Sequence, residues 1–259
     1  MGIIETNEWL EKNFYHPEHI CGLAYAPEEG SRFYRYLRQF GMYEPSRTTF
    51  ALFHELKKQN AWEKIDEIYQ KYHQKWKKHD VDIYIFPINP TRQFLQGLKG
   101  RSGAAFPKKL FLFLSPTEDR KNWESLFVHE YHHSTRMHHY KKVPEDYHLL
   151  DSLVFEGLAE HAVQKYCGKE YLSEWTGKYS PDMLRAYWER HYKPNLELKK
   201  HHPRHDQLLF GGRGVPGMMG YAIGADLVKG YKGRKPLTVQ HSFQIPSEEI
   251  LSNNPQYNR

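Results

Sequence analysis

The feature that most constrains the fold is a change of hydrophobic spacing near residue 80. From Ala61 to Lys78 apolar side chains recur every three or four residues, as on one face of a helix. Directly afterwards, residues 81–87 are β-branched and aromatic, which is typical of a strand. The chain therefore predicts a mixed fold. The helical stripe is interpreted as core-facing, and its members are Trp62, Ile65, Ile68, Tyr69, Tyr72 and Trp76.

Spacing elsewhere predicts further helices and one more strand. Residues 28–40 and 49–59 have helical spacing, so residues 1–80 are expected to form a helical N-terminal part. A Gly-rich connection over 96–107 leads to a second strand at 110–114. Residues 96–105 are interpreted as a surface loop, with a mobile flap or an edge that approaches substrate as the alternatives.

The second half of the chain also favours helices. A capping residue, a proline and acids at Ser115–Asp119 predict a helix start, and that helix is expected to reach Met137. Residues 193–216 are polar and rich in Gly, Pro and His, which predicts a loop. Gly212–Gly217 fits G-x-G-x-x-G but lacks a convincing preceding strand, so it is not interpreted as a nucleotide site. The remaining predicted helices are 147–166, 170–177, 181–192, 217–229 and 247–252.

The composition of the chain limits the classes of protein to which it can belong. Two distant cysteines, Cys21 and Cys167, argue against a disulfide framework and a cysteine-based zinc site. The N-terminus lacks the pattern of a secretory signal and no apolar run is long enough to span a membrane, so we expect a cytoplasmic protein without a membrane partner. The net charge of +6 is interpreted as a solvated surface, because no nucleic-acid-binding motif accompanies it.

The central chemical motif is H-E-x-x-H, formed by His129, Glu130 and His133. Residues four apart lie on one face of a helix, so the two imidazoles can bind one ion. Neutral imidazole suits zinc. Glu130 is expected to lie beside the metal, where its carboxylate can take a proton from water.

A zinc site of this type needs a third ligand, and two candidates compete. Glu156 and Glu160 lie four apart within an apolar helix face, where buried carboxylates need partners. We expect Glu156 to bind the metal and Glu160 to accept a hydrogen bond from a ligand histidine. His139 is the alternative, by analogy with the longer pattern that ends in a third histidine. That pattern has glycine where this chain has Arg136, and arginine resists the necessary helix break.

These residues resemble the gluzincin arrangement of zinc peptidases: His129-Glu130-x-x-His133 followed by Glu156-x-x-x-Glu160. The stretch over 81–231 looks more closely like the YjaZ-like family of predicted zinc-dependent proteases. The Glu-Gly-Leu-Ala-Glu segment and the later Gly220-Tyr221-x-x-Gly224 segment carry that resemblance. It implies zinc ligands at His129, His133 and Glu156, with Glu130 as base. It also implies that the strand before the metal helix lies at a sheet edge.

Together, the motif and the resemblance predict a zinc-dependent metallopeptidase acting on a peptide or protein substrate. Peptide hydrolysis develops an oxyanion that needs a second donor, for which Tyr221 and His205 are the candidates. Two alternatives stay open. One is a zinc-dependent amidase or acyl hydrolase, and the other is a non-catalytic basic binding protein with a vestigial metal site.

The expected architecture is α+β and mostly helical. A zincin-like core with a small sheet packed on the H-E-x-x-H helix is predicted over residues 81–231, preceded by the helices of residues 1–80. We expect residues 1–259 to form a single domain, because no convincing linker interrupts the chain.

Overall fold

A computed structural model describes residues 1–76, 78–91, 101–140 and 142–257, with Arg101 described by its backbone alone. The described chain is mostly helical and includes one four-stranded sheet, which confirms the α+β prediction. Contacts divide it into two compact units, Met1–Ser134 and Thr135–Arg259. Among the described residues, no helix is long and apolar enough to cross a membrane.

The first unit contains five helices, the sheet, and most of the helix that carries the H-E-x-x-H motif. The five helices are α1 (Thr6–Asn13), α2 (Pro17–Ala24), α3 (Gly30–Gln39), α4 (Arg47–Lys58) and α5 (Ala61–Lys75). The strands are β1 (Gly2–Ile3), β2 (Asp82–Pro87), β3 (Arg101–Ala105) and β4 (Lys109–Leu114). The motif helix is α6 (Arg120–His139), and the division into units falls within it.

The strands are ordered β1-β2-β4-β3, with β1, β2 and β4 parallel and β3 antiparallel to β4. The implied position of the strand before the metal helix is wrong, because β4 has neighbours on both sides. Its run of buried side chains over residues 110–114 is typical of such an interior strand. Strand β3 is an edge strand of the described sheet, and its Gly103 lies against Glu130 of the motif helix.

Helix α5 holds α6 through its predicted apolar stripe. All six stripe residues are at most 4% exposed, which confirms that they face the core. The ring of Trp76 stacks on that of Tyr131 with centroids 5.4 Å apart, and the Tyr131 hydroxyl donates to the His79 carbonyl oxygen at 2.5 Å. Tyr131 lies within the H-E-x-x-H sequence, so these contacts fix the rotation of the motif helix in the first unit.

The second unit is helical. Its helices are α7 (Leu149–Tyr166), α8 (Pro181–Tyr187), α9 (Pro203–Phe210), α10 (Met219–Lys232), α11 (Val239–Ser242) and α12 (Ser247–Ser252). Helices α7 and α10 meet at two glycines: a Cβ atom on Gly157 would lie 2.1 Å from the Gly224 carbonyl oxygen. Because neither position has a side chain, the two backbones touch directly.

Three predictions of local structure are wrong. Helix α6 begins at Arg120 rather than within 115–119, because the Asp119 carboxylate accepts the Lys121 N–H at 2.9 Å and caps the helix there. The predicted loop over 193–216 contains α9, which begins with Pro203 and buries Leu208 and Leu209. Residues 101–105 of the predicted connection form β3, and residues 92–100 lie outside the described residues.

Candidate metal centre

His129 and His133 direct the same ring atom towards each other. Both lie on α6, one helical turn apart, and their Nε2 atoms are 3.0 Å apart. The ring centroids are 4.6 Å apart and the ring planes are nearly perpendicular at 88°. Two zinc-bound imidazole nitrogens in a tetrahedral site would be separated by about 3.3 Å. The pair is therefore spaced almost as two ligands of one ion.

Glu156 on α7 completes a group of three. One ligand atom from each of His129, His133 and Glu156 lies within 4.8 Å of the other two. Across residues 1–76, 78–91, 101–140 and 142–257, this is the group of three His, Cys, Asp or Glu side chains that could hold a metal ion. His133 is buried, whereas His129 and Glu156 are partly exposed.

This donor set fits zinc. Two imidazole nitrogens and one carboxylate oxygen form a frequent catalytic zinc set, which leaves a fourth position for water or substrate. The other metals that bind oxygen-rich sites, such as magnesium and calcium, fit a set with two imidazoles poorly. The chemistry of the three side chains and the 3.0 Å spacing of the two Nε2 atoms agree on this point.

Glu130 follows His129 directly and is 8% exposed. Its side chain lies against Gly103 of β3: a Cβ atom there would be 2.6 Å from Cγ, 2.8 Å from Cδ and 3.0 Å from Oε1 of Glu130. The missing side chain at Gly103 therefore makes room for the carboxylate next to the edge strand. An isolated glycine in a strand is the sequence signal for such a close approach.

Glu160 is 4% exposed and lies one turn beyond Glu156 on α7. Its two oxygens accept hydrogen bonds from Ser173, one from the backbone N–H at 3.0 Å and one from the hydroxyl at 2.7 Å. These bonds compensate the burial of the carboxylate. Sequence reasoning missed Ser173, since nothing local links it to residue 160. The hydrogen bond that a ligand histidine would donate to Glu160 stays a prediction.

The two candidate oxyanion donors have different surroundings. His205 on α9 is 1% exposed; its Nε2 lies 2.9 Å from the Ser152 hydroxyl and its Nδ1 lies 3.0 Å from the Asp206 carboxylate. Tyr221, near the start of α10, is partly exposed and its ring contacts Trp175 at 5.4 Å. Ser152 lies one helical turn before Glu156, so His205 is anchored to the helix that carries that carboxylate.

His139 lies outside the group of three. Helix α6 continues without a break through Arg136 to His139, so His139 lies roughly 240° around the helix from His133. Its ring stacks on Phe243 with centroids 6.2 Å apart. Arg136 is fully buried and donates to the carbonyl oxygens of Ser242 and Ile245 at 2.6 and 2.8 Å.

The fold and these side chains define a class of protein, a helical α+β protein with an H-E-x-x-H helix and a carboxylate from a second helix. Comparison with known proteins places the chain in a family that agrees with this class. Residues 61–252 match the family described as "Predicted Zn-dependent protease (DUF2268)", and the chain belongs to this family. The match extends on both sides of the 81–231 core expected from the sequence.

Two relatives from Bacillus subtilis (strain 168) are similar to this chain. "Uncharacterized protein YjaZ" is 34% identical over 217 residues, which cover 83% of each chain. "Uncharacterized protein YjfC" is 23% identical over 185 residues, or 67% of this chain and 60% of that protein. No solved structure matches the chain significantly.

Proposed function

We propose that this protein is a zinc metallopeptidase that hydrolyses peptide bonds with Glu130 as general base. The observation that carries the proposal is the convergence of His129, His133 and Glu156, whose ligand atoms lie within 4.8 Å of one another. Membership in a family of predicted zinc-dependent proteases supports it. The buried carboxylate of Glu130, adjacent to the first of these ligands, supplies the base.

In this proposal His129, His133 and Glu156 hold zinc. A zinc ion bound there would act as a Lewis acid and would acidify a water molecule. The three side chains contribute one negative charge in total, which leaves the site cationic and suited to a polarised carbonyl oxygen. Glu160, held by Ser173, stabilises the turn of α7 that presents Glu156.

Glu130 carries the proton transfers. Its carboxylate takes a proton from water as the water oxygen adds to the peptide carbonyl carbon. It then gives that proton to the departing amine nitrogen as the carbon–nitrogen bond breaks, so the base is regenerated. Contact with Gly103 restricts the carboxylate to one side of α6 and keeps it oriented for both transfers.

The oxyanion donor in this proposal is Tyr221 or His205. His205 would have to exchange its Ser152 partner for the oxyanion, because both of its ring nitrogens already have neighbours. Tyr221 is partly exposed near the start of α10, where a hydroxyl can turn towards a bound peptide. We therefore favour Tyr221 as the donor, with His205 positioning α7 through Ser152.

The substrate would lie along β3. Within the described residues β3 pairs with β4 on one side, and Gly103 in its centre contacts Glu130. An extended peptide can add to the open edge of a sheet through main-chain hydrogen bonds. Such pairing would present a peptide bond near Glu130 with little demand on the sequence of the substrate.

The test combines metal analysis with digestion of a peptide library by the full-length chain. Wild-type protein is expected to contain one zinc per chain and to cleave peptides, and a chelator is expected to abolish cleavage. Glu130→Gln is expected to retain zinc and to lose at least about 100-fold in turnover, which is the usual contribution of a general base. Glu145→Gln, which changes an exposed glutamate, is the matched control.

Three results would contradict the proposal. Zinc bound stoichiometrically without hydrolysis of any library peptide would favour the binding-protein alternative. Hydrolysis of small amides or esters but of no peptide would favour the acyl-hydrolase alternative. Full turnover by Glu130→Gln would remove Glu130 from the mechanism in either case.

A further inference from the structure

A second candidate site lies within the second unit, in a cavity of about 430 Å³ beside α9. Two arginines and two histidines line it, Arg204, Arg213, His191 and His202. The buried side chains of Leu208 and Val215 form its apolar part. A volume of this size matches those of cavities that bind small molecules.

The charge of this cavity is one-sided. None of the residues that line it is acidic. Of the acids on neighbouring segments, Asp182 pairs with Arg185 and Glu189 with Lys193, and the Asp206 carboxylate lies 3.0 Å from Nδ1 of His205. In the part of the chain that the structure describes, no carboxylate lies within ion-pair distance of the Arg204 or Arg213 guanidinium group.

The electrostatics of His191 agree with this picture. Its partial burial and then the positive charges of Arg190 and Arg204 lower the pKa of its ring. The cavity therefore has a positive potential even where its histidines are neutral. Cationic cavities of this type concentrate anions from solution.

Local structure holds the backbone of the cationic residues in place, while the side chains of His202, Arg204 and Arg213 are exposed. His202 caps α9, because its Nδ1 accepts the N–H of Arg204 at 3.1 Å. The helix start adds a partial positive charge on the same side as Arg204. Arg213 lies in a tight turn closed by paired hydrogen bonds of 2.8 and 3.1 Å between Gly212 and Val215. The two arginines are thus set on separate, locally braced segments.

We propose that this cavity binds a small phosphorylated molecule, with the guanidinium groups of Arg204 and Arg213 holding the phosphoryl oxygens. Guanidinium presents a rigid fork of N–H donors that matches phosphate oxygens in pairs. A phosphoryl group carries up to two negative charges and several acceptors, which suits two arginines better than a single carboxylate does. The apolar side chains of Leu208 and Val215 would contact the remainder of the molecule.

This site is separate in its chemistry from the proposed zinc centre, because it uses cations rather than metal ligands. It is linked to that centre through the chain: α9 also carries His205, which bonds Ser152 one turn before Glu156. A ligand that orders the start of α9 would therefore act on a helix that contacts α7.

The test measures binding rather than activity, so its outcome is independent of peptide hydrolysis. Full-length protein is titrated calorimetrically with inorganic phosphate, pyrophosphate and glycerol phosphate at constant ionic strength, with citrate as the carboxylate comparison. Wild-type protein is expected to bind at least one of the phosphates more tightly than citrate. Arg204→Gln and Arg213→Gln are each expected to weaken that binding roughly tenfold or more, as for a lost charge-assisted hydrogen bond.

Arg234→Gln is the matched control, since it removes an exposed arginine from elsewhere in the second unit. It is expected to bind as the wild type does, and circular dichroism checks that all three variants fold. Several outcomes would overturn the proposal. They are no phosphate binding by the wild type, tighter binding of citrate than of any phosphate, undiminished binding in both cavity variants, or an equal loss in Arg234→Gln. Undiminished binding in the cavity variants would assign the phosphate to another site, the zinc centre included.

Discussion

The side chain of Glu130 lies against the backbone of Gly103, so closely that any Cβ atom there would be within 3.0 Å of its carboxylate. Glu130 belongs to the motif helix, and Gly103 lies in the centre of β3. The far end of a flexible side chain moves at lower cost than a strand backbone does. A substitution at Gly103 is therefore expected to displace the carboxylate and leave the strand in place.

The first prediction concerns this contact. Gly103→Ala is expected to lower kcat/KM for peptide cleavage by about 100-fold, because small misplacements of a catalytic group cost that much. Zinc content should be unchanged, since the three atoms nearest to the new methyl group all belong to Glu130 and none to His129, His133 or Glu156. Gly177→Ala is the control, because a Cβ atom there meets nothing within 4 Å. Full activity in Gly103→Ala would show that the contact does not orient Glu130.

The second prediction concerns the third ligand. Glu156→Ala is expected to weaken zinc binding by more than about 100-fold. Loss of a residue that only hydrogen-bonds to a metal ligand costs up to about 100-fold, and loss of a ligand itself should cost more. His139→Ala should retain zinc, because His139 stacks on Phe243 and lies outside the group of three. Competition with a chromogenic chelator measures both affinities. Loss of zinc in His139→Ala alone would overturn the assignment.

The third prediction concerns the contact of α7 with α10. A Cβ atom on Gly224 would lie 2.0 Å from the Leu153 carbonyl oxygen, and backbone atoms cannot yield without separating the helices. Gly224→Ala is expected to reduce the free energy of unfolding by roughly 3 kcal/mol, as overpacking does. Urea unfolding measures the change, with Gly217→Ala as the control because its position has open space. Equal stability of the two variants would contradict the close contact.

The fourth prediction concerns pH. Burial raises the pKa of Glu124, but hydrogen bonds from Lys121, Lys71 and Tyr72 outweigh it and lower that pKa from 4.5 to about 2. A carboxyl group whose pKa is lower in the folded protein stabilises the fold above its unfolded pKa, and that stabilisation is lost as pH falls. The contribution is on the order of 3 kcal/mol at neutral pH and should disappear between about pH 4.5 and pH 2.

Urea unfolding of wild type and Glu124→Gln across this range measures the effect. The variant should be less stable at pH 7, and the difference should shrink as the pH falls towards 2. A difference that is independent of pH would mean that the ion pairs with Lys71 and Lys121 do not lower this pKa.

The fifth prediction concerns Arg136. Its guanidinium group is fully buried, donates to two carbonyl oxygens and lies 4.1 Å over the Tyr140 ring, and burial lowers its pKa to about 10. Lysine keeps the charge but lacks the planar fork, so Arg136→Lys is expected to cost about 3 kcal/mol of unfolding free energy. Urea unfolding tests this, with Arg234→Lys as the exposed control. If both variants were as stable as the wild type, the planar guanidinium group of Arg136 would not be needed for stability.

Local spacing was sufficient for several features. The period of the stripe from Trp62 to Trp76 predicted both its helix and its burial, because a helix packed on a core must repeat apolar side chains every three or four residues. The same periodicity brought His129 and His133 to one face of α6. Local spacing predicts features of this kind because the residues involved are at most four positions apart in the chain.

The helix over 203–210 was missed because polar and helix-breaking residues surround it. Its formation depends on Pro203 in the first turn, a cap from His202 and the burial of Leu208 and Leu209. Burial depends on what the segment packs against, and composition does not contain that information. The same reason explains β3, which is a strand because residues 101–105 pair with β4.

The sequence by itself determined the two imidazoles, their spacing, the adjacent carboxylate and the core-facing stripe, since each follows from helical geometry within one segment. Tertiary structure alone decided that the Glu156 carboxylate approaches the histidines and that Gly103 lies against Glu130. It also decided that Ser173 binds Glu160 and that Ser152 binds His205. These pairs are separated by many residues. Their approach depends on the packing of whole helices and strands, which no local pattern of side chains encodes.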